Sequence, residues 1–152
     1  MNRMIVAALV LASLSAGASA QEQLVDQTKL YVTDPSACSV LQSRGVAAFE
    51  DLYFLRLSFV DGIDGMEFHC GFFDIKSARN TANLFVSAVC ELPGEIYPDT
   101  LSISPYDETT IQVVSNNEAL LMSVGALEAS DDISTTGATL YHRCDNLSEL
   151  PR

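Results

Sequence analysis

Apolar side chains return at every second position in short runs along most of this chain, and that spacing suits the β-strand, whose successive side chains point to opposite faces. Residues 52–59 put Tyr53, Leu55, Leu57 and Phe59 on one face, and residues 66–72 do the same with Met66, Phe68, Cys70 and Phe72. Residues 83–92 carry Leu84, Val86, Ala88 and Cys90 on one face and Phe85 and Val89 on the other, as a strand in the middle of a sheet would. Gly, Asp, Asn, Ser and Pro separate the runs, which is the chemistry of turns between antiparallel strands. The expected fold is all-β, mainly an antiparallel meander of roughly seven to nine strands. A small sandwich or barrel would close it without bare edges, with one or two short helices and disulfide staples.

Register restricts the pairing, because a slip of one residue turns every side chain to the wrong face. A four-residue loop over 62–65 sets Phe59 opposite Phe68, Leu57 opposite Cys70 and Leu55 opposite Phe72, so the apolar faces coincide. A turn centred on Asn80 sets Phe72 opposite Ala88 and Cys70 opposite Cys90. Leu101 and Ile103 are expected to face Val113 and Ile111 across a loop containing Pro105, Tyr106 and Asp107. If residues 115–118 form the next loop, Val113 and Ile111 face Leu120 and Met122. A last strand near 138–144 follows a turn over 131–137. Residues 36–44 and 77–82 are the candidate short helices.

The chain opens with Arg3, an apolar run over 5–14 and small residues ending in Ala18-Ser19-Ala20. This is the three-part pattern of a cleavable signal peptide over 1–20, leaving 21–152 as a single β-rich domain that begins at Gln21. The apolar run is shorter than the ~20 residues that span a bilayer, and no second stretch is long enough. The short leader with one Arg looks bacterial and predicts a periplasmic or secreted protein without membrane attachment after cleavage.

Cys38, Cys70, Cys90 and Cys144 all lie in the mature region. An even count in an oxidising compartment predicts two disulfides. Of the three pairings, the turn at Asn80 favours Cys70 with Cys90, leaving Cys38 to close with Cys144. No Cys-x-x-Cys spacing occurs, which argues against a thioredoxin-type redox motif and a zinc knuckle.

The full chain carries 20 acidic and 8 basic side chains, a net charge of −12. Removing the leader removes Arg3 and no acid, so the mature domain stands at −13. Such a field repels nucleic acid and anionic lipid and favours cationic partners, among them basic proteins.

Candidate chemistry is sparse. His69 adjoins Cys70, and His142 lies two residues before Cys144, which raises zinc or copper; on a strand, however, His69 and Cys70 point to opposite faces. Asp61, Asp64, Glu67 and Asp74 are candidate carboxylates for a hydrolase, although acids beside glycines more often build turns. The segment 61–65 fails the calcium-loop pattern, since Ile63 and Gly65 stand where oxygen ligands should recur. No Gly-x-Ser-x-Gly elbow is present. Asn146-Leu-Ser148 fits a glycosylation acceptor that this spacing produces by chance. Tyr53, Phe54, Phe68, Phe72, Phe73 and Phe85 either build the core or line a ligand cavity. No catalytic, cofactor-binding or metal-binding residue is assigned.

In architecture alone the chain resembles the small disulfide-bonded β-barrels that bacteria export as enzyme inhibitors, although it carries none of their motifs. The resemblance implies a non-enzymatic binding module, an inhibitor or accessory protein for a cationic protein partner. A small apolar-ligand carrier is the alternative, followed by a carboxylate- or metal-dependent hydrolase.

Overall fold

A computed structural model describes residues 24–50, 53–77, 79–128 and 137–148 of the chain. The expected leader over 1–20, the expected cleavage point at Gln21 and most of the expected turn over 131–137 lie outside these residues. Eight strands follow one another: β1 Lys29–Val32, β2 Arg56–Ser58, β3 Gly62–Asp64, β4 His69–Ser77, β5 Leu84–Leu92, β6 Glu95–Pro105, β7 Thr110–Ser115 and β8 Ala138–Ser148. Helix α1, Ala37–Arg44, and a 3-10 segment, Gly45–Glu50, lie between β1 and β2, and helix α2, Asn116–Ser123, follows β7. Each strand pairs antiparallel with the next, and β1 pairs with β8, so the meander closes into a barrel.

The alternation selects the inner face. Leu84, Val86, Ala88 and Cys90 of β5 point inward with Leu101 and Ile103 of β6, Ile111 and Val113 of β7 and Tyr141 of β8. Phe85 and Val89 face outward and remain exposed, because among the described residues the second layer lies on the α1 side of the barrel. There Ala37 and Leu41 of α1, with Ala48 and Phe54, cover Leu30, Val32, Cys144 and Leu147 on the outer face of β1 and β8. β1 is consequently buried on both sides.

Both disulfides form the favoured pairing. Cys70–Cys90 lies inside the barrel across a directly opposed pair of β4 and β5 residues. Cys38–Cys144 ties α1 to β8 with its Cα atoms 5.4 Å apart. Two disulfides are consistent with an oxidising compartment.

The turn at Asn80, which takes φ 62°, sets Phe72 opposite Ala88 as expected. A bulge then follows, and Phe73 swings into solvent at 69 % exposure while Ile75 returns to the core side. Ser77 ends β4, so no helix starts there.

Three expected pairings are corrected. Residues 62–64 are not a loop but strand β3, inserted between the two strands that were to pair directly: Leu57 faces Ile63, which faces Cys70. A loop would have left Ile63 in water, whereas here it is buried at 4 % exposure. Gly62 permits the third strand, since a Cβ there would lie 1.9 Å from the Cys70 carbonyl oxygen. Secondly, the β6–β7 register is displaced by two residues, with Ile103 opposite Val113 and Pro105 opposite Ile111. The turn is organised by Asp107, whose side chain accepts from the Thr109 N–H at 2.8 Å while the Thr110 carbonyl accepts from Tyr106 at 2.9 Å. Thirdly, Leu120 and Met122 belong to α2 and not to a strand. The Ser115 hydroxyl accepts from the Glu118 N–H at 3.0 Å, and this N-cap starts a helix where the alternation suggested a hairpin.

Candidate functional site

The residues singled out from the sequence do not converge. Asp64 pairs with Arg56 and accepts a close contact from His69 Nδ1 at 2.6 Å, on the outer face of the barrel. His142 contacts the Thr110 hydroxyl at 3.2 Å on β8. Asp74 pairs with Lys76 at 2.7 Å, Asp61 sits in the β2–β3 turn, and Glu67 is exposed. Cys70 and Cys144, the sulfurs next to the two histidines, are both bound in disulfides and offer no thiolate. Among the described residues no three His, Cys, Asp or Glu side chains are placed to hold a metal ion. Asn146 lies in β8 with the Leu147 side chain buried beneath it.

The six candidate aromatics divide. Phe73 and Phe85 are on the outside, and Phe72 packs against the core. Tyr53, Phe54 and Phe68 line a cavity of about 170 Å³ at one end of the barrel, with Leu55, Ile63, Leu101 and Val113 below them. At the opposite end Tyr31 fills the interior and donates its hydroxyl to the Asp26 carbonyl at 3.0 Å.

The polar wall of the cavity comes from residues to which the sequence assigns no role of their own. Period two along β6 places Tyr97 and Asp99 on the same face as Leu101 and Ile103, so a carboxylate enters the barrel. Asp99 is only 7 % exposed. It is compensated by three donors: the Ser115 hydroxyl at 2.6 Å, the Asn117 N–H at 3.0 Å and the Thr100 N–H at 2.7 Å. Asp99 thus serves a free N–H in the first turn of α2, where a negative charge also suits the helix dipole.

Ser115-x-x-Glu118 is a capping-box pattern, in which the glutamate normally reaches back to the serine N–H. Here the Ser115 N–H donates instead to the Gly137 carbonyl at 3.3 Å. Glu118 lines the cavity. Burial, and next the neighbouring Asp99 charge, hold its pKa above the usual glutamate value. Burial likewise raises the hydroxyls of Tyr97 and Tyr141, with Asp99 and Glu118 adding to the effect at Tyr97 and Glu118 at Tyr141, so both phenols keep their protons at neutral pH. Among the described residues no lysine, arginine or histidine lines the cavity.

The site therefore offers an apolar floor, aromatic faces, phenolic donors and two carboxyl groups. The signals for it were present: an acid at an inward strand position, and a serine three residues before a glutamate.

No protein-family model, curated protein or solved structure matches the chain.

Proposed function

We propose that the protein is an exported, non-enzymatic binding protein that carries a small, partly apolar molecule in the end of its barrel. The observation that carries this reading is the cavity at the barrel end, lined by aromatic residues among them Tyr53, Phe68, Tyr97 and Tyr141. An engineered cavity of about 150 Å³ holds benzene, so this volume suits a ligand of roughly six to eight non-hydrogen atoms. Export is supported by the leader pattern over 1–20 together with the two disulfides. The negative net charge is a reason to consider a basic protein as partner, but a surface charge alone has no shape, whereas the cavity does.

The test is mass spectrometry on protein expressed with its leader and recovered from the periplasm. The denatured chain should begin at Gln21 and be lighter by the hydrogens of two disulfides. The native spectrum should carry a non-covalent organic adduct on the order of 100 Da, the size set by the cavity. An uncleaved leader overturns export. A bare native spectrum, with no saturable uptake of small aromatic or alkyl probes, overturns the carrier.

A further inference from the structure

We infer that the ligand held in the barrel end carries an alkylated ammonium centre, seated among aromatic faces beside Glu118. This rests on the carrier reading above and specifies its ligand class.

The aromatic lining comes from separate parts of the chain: Tyr53 and Phe68 from the segments flanking β2 and β3, Tyr97 from β6 and Tyr141 from β8, while the Phe54 ring stacks on Phe49 at 4.7 Å. Aromatic faces gathered around a small cavity attract a cation through their quadrupoles, and alkyl groups on the nitrogen give the faces something to pack against. A neutral apolar ligand would use the same faces but would leave the carboxyl groups unexplained.

Those two groups are not equivalent. Asp99 is satisfied by three donors of the protein itself and by the helix terminus, and it has a structural task in starting α2. Among the described residues nothing donates a hydrogen bond to the Glu118 carboxyl, and no cation shares its cavity. A carboxyl group in such a place is unfavourable in the empty protein and would be relieved by a positive charge brought with the ligand. An anionic ligand would meet both carboxyl groups with no basic side chain to offset them.

The experiment compares choline with dimethylbutanol, the neutral analogue in which carbon replaces the charged nitrogen. Binding is followed by NMR titration on the Asn117 and Glu118 amides of the mature, oxidised protein. Choline should bind roughly tenfold more tightly, the advantage expected of a partly desolvated cation on aromatic faces. Glu118→Gln should reduce the choline preference to what the aromatic side chains alone supply, with circular dichroism confirming that the barrel is retained. Equal binding of both compounds to the unaltered protein, or tighter binding of the alcohol, overturns the cationic ligand and leaves the carrier standing. Binding of neither at millimolar concentration overturns the carrier, and the inference with it. A choline preference undiminished by Glu118→Gln overturns the role given to Glu118.

Discussion

Replacing Cys38 and Cys144 together by alanine should remove most of the stability of the domain. The bridge joins residues 106 positions apart, enclosing β2 to β7 and most of β8 in one covalent loop. In the chain-entropy model, releasing a loop of that length returns about 4.8 kcal/mol of freedom to the unfolded chain. Cys144 is also fully buried in the outer layer against Leu30 and Leu41, so losing its sulfur leaves a void worth about 1 kcal/mol. A total of about 5 to 6 kcal/mol compares with about 5 to 15 kcal/mol for a typical domain. With a urea slope of about 2 kcal/mol per molar, the unfolding midpoint should fall by nearly 3 M. The slope itself should steepen, because an uncrosslinked chain exposes more surface when it unfolds. Equilibrium urea unfolding followed by tyrosine fluorescence reads both quantities. A midpoint lowered by less than about 1 M with an unchanged slope would refute the reasoning, since neither loop release nor loss of packing could then be at work.

Gly62→Ala and Gly94→Ala form a pair that separates steric from conformational cost. Both glycines have positive φ, 109° and 85°, but an added methyl at Gly62 meets the Cys70 carbonyl while one at Gly94 meets nothing within 4 Å. Gly94→Ala should cost about 1 kcal/mol and Gly62→Ala at least about 3 kcal/mol or the fold itself, measured by urea unfolding; equal costs would contradict the three-strand arrangement of β2, β3 and β4. Glu118→Gln should alter the pH profile of stability. Because the folded-state pKa of Glu118 lies above its ordinary value of 4.5, the folded protein holds that proton more tightly than the unfolded chain does. Its contribution is thus most favourable below that ordinary value and is lost as pH rises through the folded one. The variant's midpoint, relative to the unaltered protein, should climb between pH 4 and neutrality; parallel profiles would show that Glu118 does not sit in the environment described.

The inward residues of β5, β6 and β7 were legible because each strand keeps strict alternation between recognisable turns, and the Cys70–Cys90 bridge followed from the register at Asn80. Strand β3 was not legible. Three residues bounded by glycine and aspartate carry a single apolar side chain, Ile63, and nothing local distinguishes them from a turn. The β6–β7 displacement preserves which side chains face inward, so the alternation cannot detect it; only the Asp107 hydrogen bonds decide. At α2, short-range alternation of Leu120 and Met122 competed with a capping signal at Ser115, and the cap won because it satisfies backbone groups that a strand there would have left without partners. The cavity was half legible. Its aromatics were on the list of candidates, but Asp99 and Glu118 were read only as part of the overall charge, since their meeting depends on the path of α2 over the end of the barrel.

Closure of β1 onto β8 has a consequence for the company this protein keeps. A sheet with open sides presents a row of amide and carbonyl groups on which another chain can lay down a further strand, the route to fibrils and to many peptide complexes. In this ring each strand has a neighbour on both sides, so none lies wholly at an edge, although among the described residues β3 pairs with β4 only at Cys70 and His69. Over the paired stretches the ring presents side chains and not backbone to its surroundings, among them the outward Phe73 and Phe85. Closure of this kind confines any templating of one copy's strands by another to the stretches that reach beyond their neighbours, such as the far part of β4.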